Sequence, residues 1–562
     1  MFNRAIFIIL ALILALSVAA GCTAPGGAPP AQTTAAAGAA ATTAAQVEQT
    51  TAAVATTTAD AAATTTAVSD AAAASTVDTL KGGTVIQSTG PYNGYVLANK
   101  DDIMLTSLSA YNQVWHDMPE GLTRENNPFV NWSQDNAPYR TESDMLPMDG
   151  ALDKVTMILA SGEHPDYFGF SMTKAQYSSL AKTGAFMDIE PLLEFMPSVK
   201  NWIPESVWTA MRIDGKIYAI PNLTPRLFTN AIAARIDVMD ELNLESPRTL
   251  DEFYEFFKQI GDPDNNVYAL GQIGKGITGD GFRGAGLFDG FTGAFGIGAS
   301  TILRDDGKLY YSYIEPEALE YLNYMHMLYA EKLLYPEFPT TDPLKLREVI
   351  AAGNVMVATL PFFNMKWQTD QLEANFPNAV WDWIEYPVGE NGEVGVQVEP
   401  IYNSLHFIPS RSRYPVEAAL IHEWSMSDEV QDVRSAGFEG EHYDRVNGEI
   451  VIREDNPKPT WGSAGTLDWK SFKLRQTIAG VYDFHERRKE YGTIMDYYLY
   501  SPYIADVEDV WNELHDYVNE QYIKFIIGTR PLTDFDKFVG EVKALGADQA
   551  FAALNEWYVE AY

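Results

Sequence analysis

The sequence predicts an α/β protein of two lobes carried behind a secreted, tethered N-terminus. Three observations predict it. The chain has 562 residues, more than a single hydrophobic core ordinarily serves. From about Lys81 onward, short apolar runs of strand type alternate with longer runs of helical period. Before that point the chain reads first as a leader and then as a low-complexity tract.

The leader is residues 1–22, MFNRAIFIILALILALSVAAGC. Arg4 supplies a short positive region, Ile6 to Val18 an apolar one, and small residues follow. This is a secretory signal, too short for a comfortable transmembrane span of about 20 apolar residues. Cys22 is the only cysteine, which excludes a disulfide within the chain and any zinc site built on several thiolates. Ala19-Ala20-Gly21-Cys22 resembles a bacterial lipobox, whose cysteine is diacylated and becomes the first residue after cleavage. Leu usually stands three before that cysteine, and here the place holds Ala19. The competing reading is an ordinary signal peptide with an incidental Cys. Residues 23–79 are almost wholly Ala, Thr, Gly and Pro, with no amphipathic face to bury, and read as a flexible stalk.

The formal charge is -37, from 39 Lys and Arg against 76 Asp and Glu. Such a surface repels phosphate backbones and anionic headgroups, so neither nucleic acid nor a basic membrane patch is expected. Its plainest consequence is solubility.

The globular elements follow in order. Val155 to Ala160 is a short, mostly apolar run suited to a buried parallel strand, and Ile217 to Ile220 is another. Thr249-Leu250-Asp251-Glu252 is a capping box that starts a helix with Phe253, Phe256, Phe257 and Ile260 on one face and Gly261 as its stop. Pro316 suits the first turn of a helix running to about Leu334. Val355 to Leu360 and Leu405 to Ile408 are further strands. Val507 to Ile527 carries Val507, Trp511, Leu514, Val518 and Phe525 near a 3.6 period. Thr533 caps a last amphipathic run that ends at Gly546. Alternation of this kind implies mainly parallel sheets, and no repeat of solenoid period is present.

Several of these stretches, in order, resemble the extracellular solute-binding proteins of carbohydrate ABC importers (family 1), particularly their long lipoprotein branch. They are VTMILASGEHPD at 155–166, GAFMDI at 184–189, DGKIYAIP at 214–221, ARID at 234–237, LNLESPRTLDEFYEFF at 242–257, GNVM at 353–356, and GTRPL with the run to Gly546. The resemblance covers most of residues 81–562. It implies a periplasmic-binding-protein-like fold, two α/β lobes joined by a hinge of crossing segments with a ligand cleft between them. It gives lobe 1 about 81–222 and 366–410, and lobe 2 about 223–365 and 411–562. It implies a monomeric binding protein, not an enzyme and without a cofactor, anchored at the outer face of the cell membrane. Its ligand would be an oligosaccharide or sugar and its partners the permease subunits. A peptide-binding lipoprotein of the same fold, a secreted glycoside-active enzyme and an adhesion lipoprotein without a ligand remain alternatives.

A sugar site needs carboxylates, amides and Arg for hydroxyls and aromatic rings for the C–H faces. Among 12 Trp, those in polar, loop-like surroundings are the candidates: Trp115, Trp132, Trp367 and Trp461. Trp511 and Trp557 lie on helical stripes and read as core. By the resemblance, Glu163 in the Ser161-Gly162-Glu163 turn lies at the cleft, before a helix N-terminus. Arg226 and Asn230 follow the first hinge crossing; for each the competing reading is a plain turn or surface position.

Two motifs are discounted. Gly279 to Gly284 matches GxGxxG but lacks the preceding strand and following helix of a dinucleotide site. Asp262-Pro263-Asp264-Asn265-Asn266 resembles the start of a calcium loop, yet Val267 stands where glycine belongs and no late acid follows. No metal ligand set is expected.

Overall fold

Apolar side chains sort into two cores, and each core backs one mixed β-sheet. The computed structural model describes residues 80–562 except 112–118, 124, 148–150, 163, 171, 173, 224–229, 275–288, 362–364, 398–401, 403, 457–468 and 479–492. The leader, Cys22, the stalk and the Gly279–Gly284 motif therefore lie outside the described residues.

The first sheet holds β1 (Leu105–Tyr111), β2 (Thr141–Pro147), β3 (Tyr167–Phe170), β4 (Ile220–Asn222) and β9 (Ser404–Phe407), in the order β2-β1-β3-β9-β4. The second holds β5 (Asn230–Arg235), β6 (Tyr268–Gly271), β7 (Val355–Pro361) and β8 (Trp381–Trp383), in the order β8-β5-β7-β6. Mainly parallel sheets were expected; both are mixed. β1 pairs in parallel with β2 and β3, and β7 with β6. β9 is antiparallel to β3 and β4, and β5 to β7 and β8. The physical reason is the route of the chain. β5 and β9 are the strands that arrive from the other lobe, so each runs away from the joint while its neighbours run toward it.

The cores show where the chain divides. One takes in Ile86 to Leu223 and then Tyr402 to Leu420; the other takes in Ala231 to Tyr386 and then Tyr498 to Leu554. The sequence division gave 366–410 to the first lobe and 411–562 to the second. Leu372, Ala379, Trp381 and Tyr386 instead pack in the second core, because β8 is still a strand of the second sheet. Val416, Ala418 and Leu420 pack in the first, because the helix Pro415–Trp424 follows directly on β9. The chain thus passes between the cores after Leu223 and before Ala231, between β8 and β9, and again before Tyr498. At the last passage Thr493–Ile494 runs parallel to Val396–Gln397.

Helix α1 spans Pro128–Asn136, with the Asn127 side chain capping the N–H groups of Phe129 and Val130. The run expected as a strand at 155–160 is instead part of helix α2, Ala151–Ser161. Its burial has a helical period: Ala151 and Val155 are buried, Ile158 and Leu159 are half-buried in the same core, and Met157 is 71% exposed. A short apolar run alone does not separate the two structures. Helix α3 is Lys174–Lys182.

Helix α4 is Leu250–Ile260, with the Thr249–Glu252 capping box formed and Phe253, Phe256, Phe257 and Ile260 buried. Helix α5 begins at Pro316 and ends at Ala330. Helix α6, Ala505–Ile526, buries Val507, Trp511, Leu514, Val518 and Phe525. Thr533 caps no helix; it lies in the 3-10 turn Leu532–Asp534, and the next helix starts at Phe535. No described helix is long and apolar enough to cross a membrane.

Candidate functional site

Strand direction brings one edge of each sheet to the joint. On the first sheet that edge is made by the ends of β1, β2 and β3, by Asn222 at the end of β4, and by Ser404 at the start of β9. On the second it is made by Asn230 at the start of β5, paired with Pro361 at the end of β7, and by the end of β6 at Gly271. The chain goes from Asn222 to Asn230 directly, and a fully extended chain covers at most about 3.5 Å per residue. The two edges therefore lie within roughly 30 Å of each other. Ligands of open α/β sheets bind outside the carboxyl ends of the strands, which is this edge.

The first sheet presents two chemically different faces. Leu108, Phe168, Phe170, Leu405 and Phe407 fill one and are buried in the core. Ser107, Ser109, Gly169, Ser404 and His406 lie on the other, by strand alternation and register. Ser107 Oγ is 2.8 Å from Ser143 Oγ, and Asn222 Nδ2 donates to Ser404 Oγ at 3.1 Å. Near the joint this face offers small, uncharged donors and acceptors. Gly169 packs closely there, since a Cβ would stand 3.2 Å from the His406 ring.

His406 and His422 form a neutral pair behind the edge. Their ring centroids are 4.9 Å apart, and Tyr167 meets His422 edge-on at 5.4 Å. Burial, with the nearby Arg434 guanidinium second, pushes His406 from the ordinary 6.5 down to about 4. Burial first, then His406 and Arg434, holds His422 well below its usual value. At neutral pH both rings are uncharged.

The residues named from sequence fare unequally. Trp115, Glu163, Arg226 and Trp461 lie outside the described residues, and at Asn230 and Trp367 only the backbone is described. Asn230 opens β5 at the joint edge. Trp367 is in the helix Met365–Glu373, shortly after β7 ends there. Trp132 lies on α1 and stacks on Trp424, centroids 5.7 Å apart and 25° between planes, with Phe438 at 6.3 Å. One indole face of Trp132 is thereby occupied by another. Gln134, two residues on, bonds both the N–H and the carbonyl of Thr141 at the start of β2, the end away from the joint.

The Ser161-Gly162 turn was expected between a strand and a helix. It follows α2 and precedes β3, so it is a helix C-terminus, with Gly162 at φ 77°. A carbonyl-bearing helix end does not offer N–H groups to a ligand. Asp166 just beyond it takes the Thr106 N–H near the start of β1, again at the far end of the sheet.

Sequence reasoning missed Ser109, Gly169, Asn222, Ser404 and His406. The sequence held only a partial signal, Ser107 and Ser109 two places apart in β1, with Leu105 on the same face and Thr106 breaking the alternation. At the degenerate calcium motif, Asp262 and Val267 exchange backbone hydrogen bonds and Asn265 donates to the Asp262 carboxylate at 2.6 Å. Among the described residues no three His, Cys, Asp or Glu side chains group as a metal site. Trp511 is buried, as expected, and Trp557 is half-buried against the second core.

No family model matches the sequence. Lipoprotein LipO of Bacillus subtilis (strain 168) is 24% identical over 441 residues, 74% of this chain and 85% of LipO. The polygalacturonan/rhamnogalacturonan-binding protein YtcQ of the same organism is 24% identical over 443 residues, 75% of this chain and 86% of YtcQ. Among solved structures, the alginate-binding protein AlgQ2 matches with a TM-score of 0.65 and 18% identity, over 81% of this chain and 97% of AlgQ2. The ABC-transporter substrate-binding protein FusA of S. pneumoniae, in complex with fructo-nystose, matches with a TM-score of 0.63 and 15% identity, over 82% of this chain and 99% of FusA. The fold is that of the two-lobed solute-binding proteins, and these neighbours are substrate-binding proteins rather than enzymes.

Proposed function

We propose that this protein is the extracytoplasmic substrate-binding component of an ABC importer, taking an oligosaccharide or sugar between its two sheet edges. The observation that carries the reading is the joint itself. The chain links the two edges over the few positions from Asn222 to Asn230, and the first edge bears Ser109, Asn222 and Ser404, which suit hydroxyl groups. The names of the neighbours and of YtcQ, which tell of alginate, fructo-nystose and polygalacturonan/rhamnogalacturonan, support the ligand class. In this reading the protein works as a monomer, residues 1–22 export it, a lipid on Cys22 holds it to the membrane, and 23–79 is the stalk. Permease subunits receive the ligand.

The test is the melting temperature of the purified protein against a panel of oligosaccharides and short peptides. A ligand at 100 times its dissociation constant adds roughly 2.7 kcal/mol of stability. A shift for one sugar class, with that sugar recovered intact, is the expected result. A shift for peptides alone, or release of reducing ends, would overturn the sugar-carrier reading.

A further inference from the structure

The structure contains a buried ionic knot that ties the two lobes together. Helix α3 belongs to the first lobe, with Tyr177, Leu180 and Ala181 in its core. Its first residue, Lys174, reaches out of that lobe. The Lys174 ammonium donates to the carbonyl of Tyr498 at 3.0 Å, to Ser501 Oγ at 2.6 Å and to the carbonyl of Pro502 at 3.3 Å. It pairs with Glu508 Oε1 of α6 at 3.2 Å, and the two side chains are only 4% and 3% exposed.

The far side of the knot is fixed in the second lobe. Tyr498 donates its hydroxyl to Glu508 Oε2 at 2.9 Å, stacks on Trp511 with centroids 3.8 Å apart, and donates its N–H to Thr301 Oγ1 at 3.1 Å. Asp496 takes the N–H of Ser300 at 3.1 Å. The near side is fixed in the first lobe. Tyr503 packs against the first core, its N–H reaches the carbonyl of Arg212 at 3.4 Å, and its hydroxyl meets the Lys182 ammonium. Residues 496–500 are thus gripped by one lobe and 501–503 by the other.

A buried cation with this many oxygens around it cannot be parted from them without stranding a charge in the interior. A rotation of one lobe against the other that passes its axis through this point leaves every one of these distances unchanged. A rotation about any distant axis breaks them together. We propose that the Lys174–Glu508 knot is the fixed pivot of lobe movement. The proposal rests on the two-lobed fold and not on the identity of any ligand.

The test uses the full-length protein carrying Cys22→Ser, which removes the single native thiol so that introduced cysteine pairs can be spin-labelled selectively. One pair, Thr183→Cys with Asp509→Cys, uses exposed positions that flank the knot; the other, Glu142→Cys with Glu348→Cys, uses exposed positions on the first-lobe edge strand and a second-lobe helix away from it. Pulsed-EPR distance distributions are measured without ligand. The expected result is a narrow distribution for the flanking pair and one at least twofold broader for the remote pair. In the charge-removing double variant Lys174→Met/Glu508→Gln the flanking pair should broaden to match the remote one. Equal widths for the two pairs in the unmutated knot overturn the proposal. So does an unchanged flanking pair in a double variant that still melts cooperatively. If the double variant does not fold, the comparison of the two pairs decides by itself.

Discussion

Asn222 and Ser404 meet where the chain leaves the first lobe and where it returns, and their 3.1 Å hydrogen bond joins the first-lobe ends of two separate passages. If hydroxyls of a sugar bind there, Asn222→Ala removes one net hydrogen bond, worth roughly 1 kcal/mol. The expected outcome is an affinity for the sugar found by melting that is about fivefold weaker by calorimetry. An unchanged affinity would remove Asn222 from the site. His406 and His422 bear on pH in a definite direction. Both are held below their ordinary value by burial, so the folded form resists protonation that the unfolded chain accepts. Stability is then level above about pH 6.5 and falls as pH drops toward about 4, the value to which His406 is pushed. His422→Gln should flatten part of that slope in urea melts taken at successive pH values, whereas an equal slope in wild type and variant would assign the acid sensitivity to other groups.

At the scale of elements, α4 separates the effects of a cap from those of a core. Its capping box satisfies N–H groups that the first turn leaves open. Thr249→Ala is expected to cost about 1 kcal/mol of stability, and Phe257→Ala, at a side chain with no exposure, roughly 3–5 kcal/mol. Chemical denaturation of the two variants checks both, and the ranking fails if the cap variant is the weaker. The same comparison explains why α4 was legible and α2 was not. Thr249 and Glu252 are a spaced signal with one structural meaning. Val155 to Ala160 offered only apolarity, which a buried strand and a half-buried helix share, and the neighbouring burial at Ala151 chose the helix.

For the whole molecule, the tether and the charge act together. A chain of net charge -37 gains nothing from an anionic membrane surface, so in the proposed reading a lipid on Cys22 is what would hold the protein to a membrane. Cys22→Ala is expected to abolish incorporation of labelled palmitate and to move the protein from the membrane fraction to the medium. Retention of the variant in the membrane fraction would point to another anchor. The buried Lys174–Glu508 pair lies at this scale as well, because it concerns how the lobes are held and not what either lobe contains.

What the sequence determined by itself were features set by neighbours along the chain: alternation of strand and helix, the capping box, the buried stripe of α6, and the change of composition near residue 80. What only the tertiary structure decided depends on residues far apart in sequence. The reversal of β5 and β9 follows from which lobe each strand arrives from, and no local pattern records that. The placement of Leu372 and Trp381 in one core and Val416 and Leu420 in the other is a matter of packing, for which all four are equally apolar. The joint edge pairs Asn222 with Ser404, and the knot pairs Lys174 with Glu508; each partnership spans well over a hundred residues. Hydrogen bonds and ion pairs are short-ranged in space, so a folded backbone is needed before sequence can say who meets whom.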